Sequence, residues 1–571
     1  MSFTDHDTTE DVKVLHDMGY AQELSRRMGP FQSFAISFSI ICIISGGLAS
    51  FPIALSTAGP WAATIGWILG GVYALIVAAA LGQIASAYPT AGGLYHWSSI
   101  LGGRFWGWLT AYFNLLGLLF VIPAVNVILY SFIRDLFFHG MLGWDVSAWD
   151  DATKYLNTQA YWVAGITVAQ ALLNHFGIKL TTMLTDFAGY LILAVSVLLI
   201  GMFIWAAKGN LHLGQAFELV NKTGDVGGGV APQWNSIWVA ILMAMLYPLF
   251  TITGFDASAH TAEETVNARS TIHRGMLHSV FWSLLFGFAL ALSMVVALPA
   301  VYAALAADPK QAVLTADQMG VLAKIPGGPS PADMAVLGGN SFTALFNTLI
   351  MPTLLGKILA IGIIIANFLC ALAAVTSTSR MVYAFARDEG LPFSEQLSSV
   401  SPTFRTPVWA IWFVAVLTVI LTIVTTPLNA FVALSTGSAM YLYISYGMPI
   451  IAGLFAEGSS WTTFGPFRLG VFSRIFAAIT LVGTLLLLFA GHALVPSIAA
   501  VAADPKANPP VVASPFIPGL WYYTVGYLVI LGILWLALEN RRFKGPPIGA
   551  EAIARRQAEI AAAEAALAKG A

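Results

Sequence analysis

The chain has 571 residues, of which 58% are hydrophobic and only 9% are charged, and its mean hydropathy is +0.78. Soluble domains carry roughly a quarter charged residues, so this composition indicates an integral membrane protein. A formal net charge of −2 argues against nucleic-acid binding, and Cys42 and Cys370 lie within apolar runs that favour neither a disulfide framework nor a thiolate metal site.

The polar N-terminal segment, residues 1–33, lacks the basic, apolar and small-residue succession of a cleavable signal peptide. A helix needs about 20 apolar residues to cross a bilayer, and the rest of the chain contains twelve segments of this kind. We therefore predict an all-α integral membrane protein with one twelve-helix domain at 34–540. The predicted helices lie near 34–58, 61–86, 105–133, 159–176, 182–206, 236–260, 276–300, 353–379, 407–426, 429–455, 473–496 and 518–539.

The orientation follows from the basic residues. The two tails and every second loop carry most of the 26 Lys and Arg residues, which predicts that both termini are cytoplasmic, in a multi-pass protein of the cell membrane. On the opposite side a long polar loop is predicted at 301–352. The C-terminal tail, 541–571, is rich in helix-forming residues and is predicted to be a solvated helix.

The reactive motifs of common enzymes are missing from the sequence. It contains no HExxH, GxSxG, Walker A or Rossmann fingerprint, so we predict that the protein is not an enzyme and needs no cofactor. His273 and His278 are five residues apart, a spacing that does not align them on one helical face as metal ligands. Neither an arginine ladder nor a repeated filter sequence marks a channel, although that class stays open.

Two helices carry a break at membrane depth. The first, FAISFSIICIISGGLASFPIAL, contains Ser45, Gly46 and Gly47 near its middle, and the sixth contains TITGFD about halfway along. Broken backbone in a bilayer must line a cavity or pack inside protein. The breaks occupy corresponding positions if 34–206 and 236–455 form two five-helix repeats of opposite orientation, followed by extra helices at 473–539. Close helix packing at the glycines is the alternative.

The breaks suggest a ligand. A half-helix that begins after Gly47 would offer amide groups to a carboxylate, and half-helices ending near Ile43 and Thr251 would offer carbonyl groups to an ammonium. A small zwitterion satisfies both. Phe250 is the predicted lid, and Asp256 is predicted to cap the second half-helix. The predicted substrate-binding residues are Ser45, Gly46, Gly47, Phe250, Thr251, Ile252, Thr253, Gly254, Phe255 and Asp256.

Three motifs carry a resemblance to a known family: QIASAYPTAGGLYHW at 83–97, GFDASAHTAEET at 254–265 and TSTSRMVYAFARDEGLP at 376–392. From about residue 20 to 540 the chain resembles the amino acid-polyamine-organocation superfamily, most of all its amino acid/choline transporter family with the GABA permeases. The resemblance implies the five-plus-five inverted-repeat fold. It implies that 45–47 bind the substrate carboxylate and 250–254 its amine, and that 88–97 follow the second helix near the inner gate.

The energy source is left open by this resemblance. Gln83 stands where related permeases often carry an acidic residue, and 182–206 lack the lysine that some proton-coupled relatives use. Four hydroxyl residues of the eighth helix form a candidate sodium site, although serine and threonine also bond their own helix backbone. These residues are Thr376, Ser377, Thr378 and Ser379. Proton coupling, sodium coupling and exchange all remain open.

The functional prediction is a secondary transporter that moves a small amine-bearing substrate across the bilayer by alternating access. An amino acid such as GABA is preferred, and choline or a polyamine is the alternative. A substrate-sensing receptor or a leak pathway on the same fold is the alternative from another class.

Overall fold

The computed structural model describes most of the chain and is helical throughout, apart from connecting segments and two isolated bridges, Met28–Thr265 and Glu457–Trp461. Ten helices in the described part are long and apolar enough to cross a membrane. The described residues are 5–146, 148–149, 156–207, 213–224, 230–307, 316–326, 328–425, 430–495, 520–547 and 550–570.

The helices follow the predicted segments closely. In the first half they are α1 Asp5–Asp17, α2 Pro30–Ile41, α3 Gly46–Ala49, α4 Phe51–Leu55, α5 Pro60–Ala63, α6 Ile65–Ala87, α7 Gly93–Gly102, α8 Arg104–Phe132, α9 Thr158–His175, α10 Ile178–Ala206, α11 Ile237–Ala244, α12 Leu246–Thr251 and α13 Ala257–His260. In the second half they are α14 Ala268–Ala307, α15 Ala316–Leu322, α16 Ser341–Leu345, α17 Leu354–Arg387, α18 Ser394–Leu397, α19 Val408–Thr425, α20 Ala430–Ala456, α21 Phe472–Leu494, α22 Leu520–Leu534, α23 Asn540–Arg542 and α24 Ala550–Gly570.

The outer surface of the bundle is apolar. Large side chains such as Trp238, Leu354 and Val416 are more than half exposed, which in water would form an unfavourable patch but in a bilayer contacts lipid. The prediction of an all-α, multi-pass membrane protein is confirmed. The predicted count of twelve stays a prediction, because α9 and the interrupted α11–α13 fall outside the ten helices that meet the length and hydropathy criteria.

Both predicted breaks are present. The first helix stops at Ile41 and resumes at Gly46, with Cys42 at a φ of 29°. The sixth stops at Thr251 and resumes at Ala257, with Gly254 at a φ of 81°. Positive φ is strained for most L-residues but free for glycine, so Gly254 permits the chain to turn there. The first break therefore lies slightly before the predicted position. The second half-helix begins at Gly46, whereas the sequence predicted that it begins after Gly47.

The two ends of the bundle differ. We call the end that carries both termini the terminal face, because α1 packs against α24 there. The opposite end, the loop face, carries the segment from Asp333 to Ile350, which packs on α4. The described part of the predicted loop from Asp333 to Ile350 thus covers the second half of the first broken helix.

The C-terminal tail is helical, as predicted, but it is docked rather than fully solvated. Ile560 is buried. Pro547 lies so close to Gly19 that a side chain at position 19 would overlap the proline ring. The Gln22 amide donates to Glu564 over 2.9 Å, and His16 contacts the same carboxylate. The apolar and hydrogen-bonding contacts that hold the tail come from the N-terminal segment, which no local pattern in the tail reveals.

Candidate functional site

The two broken helices cross at their breaks. A Cβ atom added to Gly46 would lie 2.9 Å from the Cα of Thr251, so only glycine permits this approach of the two backbones. The hydroxyl of Tyr247 donates to the carbonyl of Gly47 over 3.0 Å and ties the helices together. Ser45, just before the crossing, is 1% exposed, and its Oγ lies near the Cys370 thiol but has no oxygen or nitrogen hydrogen-bond partner. A buried hydroxyl without a partner is costly and marks a place where a polar ligand would be stabilised.

Side chains from α20 hold the break in the sixth helix. Tyr443 donates to the carbonyl of Ile252 over 3.0 Å, and the hydroxyl of Tyr446 accepts from the Gly254 amide over 3.0 Å. Thr253 donates to the carbonyl of Phe250 over 2.8 Å. Backbone groups freed by the break thus find partners inside the protein, as a bilayer requires.

A cleft opens on the loop face above the crossing. Leu48, Ala49 and Phe431 are among its lining residues, together with Arg134 and Asp135. Leu48 and Ala49 directly follow the predicted carboxylate-side residues, so the cleft reaches the outer edge of the first break.

Phe250, the predicted lid, contacts a residue that lines the cleft. Its ring meets that of Phe431 edge to face, with centroids 5.8 Å apart. Phe255, the other predicted aromatic, is fully buried and packs on the ring of Tyr446 at 4.7 Å. The ring of Phe250 therefore reaches the cleft only through Phe431, and the ring of Phe255 belongs to the packing around the break. The role of Phe250 as a lid stays a prediction.

Asp256 occupies the N-cap position of α13, but its carboxylate makes no capping hydrogen bond. The predicted capping contact is therefore wrong. The fully buried carboxylate instead accepts from Tyr446 over 2.8 Å and from the Asn114 amide over 3.1 Å, and it lies 3.1 Å from His260 Nε2. Ser37 of α2 takes the capping role, since its Oγ accepts from the Ser258 amide over 3.0 Å.

The terminal face is sealed by two buried ion pairs. Arg380 binds Glu264 through two hydrogen bonds of 3.1 and 3.2 Å, and both side chains are fully buried. Arg387 binds Glu263 in the same two-pronged way, over 2.8 and 3.1 Å. Paired geometry of this kind is what makes buried charge tolerable. The pairs join the segment after the sixth helix to α17.

The N-terminal segment reinforces this seal. Arg26 donates to the carbonyl of Ala262 over 3.0 Å, and the Met28 amide donates to the carbonyl of Glu264 over 2.8 Å. Tyr20 donates to Asp388 over 2.7 Å, and Arg387 lies 3.9 Å above its ring. Burial and the adjacent Asp388 carboxylate raise the pKa of Tyr20 well above its usual value, so it remains a donor.

The four hydroxyl residues of α17 mostly have other partners. Thr376 donates to the Asn174 side chain over 2.6 Å, Thr378 donates to the Ala374 carbonyl over 2.7 Å, and Ser379 donates to the Thr376 carbonyl over 2.9 Å. Ser377 Oγ is buried without a partner. Most of the set follows the backbone-bonding alternative, and the sodium site stays a prediction. Nowhere in the described ranges do three or more His, Cys, Asp or Glu residues cluster in a way that could hold a metal ion.

Gln83 has a structural role in this protein. Its side-chain oxygen accepts from the Leu469 amide over 2.6 Å, and its amide donates to Ser473 over 3.2 Å. Ser473 in turn donates to Glu457 over 2.7 Å. Gln83 thus fastens α6 to the chain leading into α21.

Several site residues were not identified from the sequence. Asn114, Tyr443 and Tyr446 are distant in the chain, and nothing local distinguishes them from other polar residues of apolar helices. His260 carried a usable signal, because it lies four residues after Asp256 and so shares its helical face. Glu263, Glu264, Arg380 and Arg387 also carried a usable signal, since two acidic residues follow the predicted sixth helix and two basic residues follow the predicted eighth.

The sequence profile described as amino acid permease matches residues 28–533, which is most of the chain. The chain belongs to the amino acid permease family. It is 29% identical over 541 residues to the amino-acid permease BAT1 of Arabidopsis thaliana, covering 93% of this chain and 95% of that protein. It is 26% identical over 514 residues to the thiamine transporter thi9 of Schizosaccharomyces pombe, covering 84% and 80%.

A solved structure shares the permease fold. The crystal structure of MhsT in complex with L-phenylalanine superposes with a TM-score of 0.52 at 13% identity, covering 82% of this chain and 99% of that one. At such identity the likeness speaks for the fold alone. Membership of the amino acid-polyamine-organocation superfamily is confirmed, and the protein is a transporter and not an enzyme.

Proposed function

We propose that the permease moves a small amine-bearing substrate by alternating access, and that the substrate binds where the two broken helices cross. The observation that carries the proposal is the unpartnered, buried hydroxyl of Ser45 beside the Gly46–Thr251 crossing. The cleft above Phe250 supplies a route from the loop face. The ion pairs on the opposite face supply a second gate, and alternating access requires one gate on each side of the site.

An amino acid with a free amine, such as GABA, is the preferred substrate. The helix that resumes at Gly46 directs amide groups toward the break, and the helix that ends at Thr251 directs carbonyl groups toward it. A carboxylate suits the first end and an ammonium suits the second. The likeness to a thiamine transporter favours keeping organic cations, such as choline or a polyamine, as the alternative.

The orientation is part of the proposal. We infer that the terminal face is cytoplasmic in the cell membrane, because most Lys and Arg residues lie on that side. The breaks in the first and sixth helices support an inverted repeat of 34–206 and 236–455, with the domain running from 34 to 540. On this arrangement the cleft faces outward.

Uptake into proteoliposomes tests the function. Purified permease is expected to accumulate labelled GABA saturably and to exchange it in counterflow, with alanine, choline and putrescine as competitors. Strong competition by choline and none by amino acids would refute the zwitterion assignment. Ligand binding without either uptake or counterflow would support a substrate-sensing receptor, and unsaturable flux would support a leak pathway.

A matched pair of variants tests the site. Ser45→Ala removes the unpartnered hydroxyl at the crossing, whereas Ser39→Ala removes another buried, unpartnered hydroxyl in the last turn of α2. A hydrogen bond to substrate contributes about 0.5–1.5 kcal/mol, so Ser45→Ala is expected to raise KM roughly threefold to tenfold. Ser39→Ala should leave KM unchanged. Equal KM values for both variants would remove Ser45 from the site.

A further inference from the structure

The polar cluster beneath the sixth-helix break holds a histidine whose protonation is fixed by its neighbours. His260 Nδ1 lies 3.1 Å from the carbonyl oxygen of Ala91, and its Nε2 lies 3.1 Å from Oδ2 of Asp256. Both side chains of the pair are fully buried. A carbonyl oxygen can only accept, so Nδ1 must carry a hydrogen.

The second contact then requires another proton. A neutral imidazole with hydrogen on Nδ1 has a bare lone pair on Nε2, which would face a carboxylate oxygen that is also an acceptor. The 3.1 Å approach of Nε2 to Asp256 is favourable only if a proton lies between them. In this conformation the pair therefore holds one proton more than a neutral imidazole beside a carboxylate would hold.

The partners of Asp256 indicate where that proton resides. The carboxylate accepts from Tyr446 and from Asn114 besides facing His260. Three donors stabilise the ionised carboxylate, so the arrangement is an imidazolium beside a carboxylate, with no net charge. Loss of one proton would leave a net negative charge in a fully buried site, which is unfavourable without a new partner.

The charged groups around the pair already have partners. Tyr446 donates to Asp256, and on the terminal side Glu263 and Glu264 are already paired with arginines. The elements α2, α14 and α17 pack against α13. Ser37 of α2 and Gly275 of α14 do not titrate, and Arg380 of α17 is paired with Glu264.

One other histidine lies nearby. His96 belongs to α7, whose Gly93 faces His260, but its Nδ1 is bonded to Thr90 Oγ1 over 2.7 Å. Burial, with the Arg387 charge as a lesser cause, lowers the pKa of His96 to about 3. It therefore stays neutral and does not compete for the proton.

We propose that Asp256 and His260 together form the binding site for a proton that is transported with the substrate; the proposal rests on the transport function proposed above. When the terminal face opens and the imidazolium loses its Nδ1 proton to water there, the remaining tautomer keeps Nε2–H donating to Asp256. The bond from Nδ1 to the Ala91 carbonyl is then lost, because two acceptors face each other. Protonation thus holds α13 against the segment at Ala91.

This contact connects the proton to the terminal gate and to the substrate site. The Ala91 amide also donates to Glu263, the partner of Arg387, over 3.1 Å, so the segment is part of the terminal seal. On the other side of the pair, Tyr446 joins Asp256 to the Gly254 amide in the sixth-helix break. Release of the proton therefore loosens the terminal face, and the substrate site is one side chain away.

Transport measurements with a pH gradient test the proposal. With a gradient of one pH unit, one-to-one coupling allows accumulation of up to about tenfold. Wild-type permease is expected to accumulate substrate under this gradient without sodium, and His260→Gln is expected to lose accumulation while keeping counterflow within about threefold. The matched control is His273→Gln, a buried histidine stacked on Phe467, which should accumulate substrate like wild type. Accumulation by His260→Gln equal to wild type, or strict dependence on sodium, would overturn the proton site.

A spectroscopic test does not depend on transport. In protein labelled with ¹⁵N-histidine at about pH 7.5, where free histidine is mostly neutral, one doubly protonated imidazolium is expected. It should be absent from His260→Gln and present in His273→Gln. Its absence from wild type would refute the proton site whatever the transport data show. Its presence in a protein that transports none of the tested substrates would refute the proposed function and leave the proton pair standing.

Discussion

At the terminal face the permease is closed by the ion pairs Arg380–Glu264 and Arg387–Glu263, whereas at the loop face a cleft is lined by Phe431, whose ring contacts Phe250. The first seal is charged and directional, and only its Arg387 side chain is partly exposed. The second is a single aromatic contact beneath a cleft. Breaking a buried ion pair leaves an unpaired charge in the protein interior. Separating two rings loses only about 0.5–1.5 kcal/mol in addition to the free energy of burying their apolar surface. The two faces should therefore open at very different cost.

The largest effect is expected from the deeper ion pair. Arg380→Met leaves the carboxylate of Glu264 buried without its partner, which should destabilise the protein by about 3–5 kcal/mol. A fall in melting temperature in detergent would show it. Adding Glu264→Gln to Arg380→Met should restore part of the loss, because the two residues are coupled.

An exposed pair provides the control for that experiment. Lys544 and Glu389 lie 3.2 Å apart on the terminal face, but both side chains are at least half exposed. Surface pairs contribute little, so Lys544→Met should not measurably change the melting temperature. Equal shifts for Lys544→Met and Arg380→Met would show that the terminal seal does not depend on its buried charge.

The accessibility of Cys42 compares the two faces directly. This fully buried thiol lies in the first break, and a Cys370→Ala background leaves it as the single cysteine. Arg387→Ala should expose it to a bulky, impermeant maleimide added at the terminal face. Phe431→Ala should raise labelling from the loop face by roughly twofold to tenfold, as expected from one aromatic contact.

Phe281→Ala supplies the reference for this labelling, because Phe281 is 46% exposed on the outer surface and touches neither gate. Its labelling should match that of the background protein from both faces. Labelling that rises from the same face in the Arg387 and Phe431 variants would contradict a gate on each side.

The smallest effect is expected at the docked tail. Burial opposes ionisation of Glu564, but hydrogen bonds from the Gln22 amide and His16 outweigh it and lower the pKa of this carboxyl. A lowered pKa in the folded state means that the contact stabilises the docked tail above the usual glutamate range and is lost as the pH falls through the lowered value. Glu564→Gln should therefore speed hydrogen exchange in 550–570 at neutral pH.

The neighbouring Glu559 provides a matched substitution, since it is exposed on the same helix. Glu559→Gln should leave exchange in the tail unchanged. Unchanged exchange in Glu564→Gln would mean that apolar contacts such as Ile560 alone hold the tail.

Local pattern was sufficient for the helices and for the two breaks. Long apolar runs have few alternatives to a helix in a bilayer, and Ser45-Gly46-Gly47 and Gly254 weaken the helix where it is interrupted. The role of Asp256 could not be read in the same way. Its position predicts a cap, but the carboxylate instead contacts Asn114, Tyr446 and His260. Side chains from three helices stabilise a buried charge more than the backbone amides at the start of α13 would.

The sequence by itself determined a helical membrane protein, its superfamily and the places where two helices break, because each depends on composition or on residues adjacent in the chain. Only the tertiary structure decided the partners across those breaks. Ala91 contacts His260, Glu264 contacts Arg380, and α24 contacts the N-terminal segment. In each case the partners are more than a hundred residues apart in the chain. Such contacts arise from helix packing, and it is packing that fixes which buried charges are paired and which proton is held.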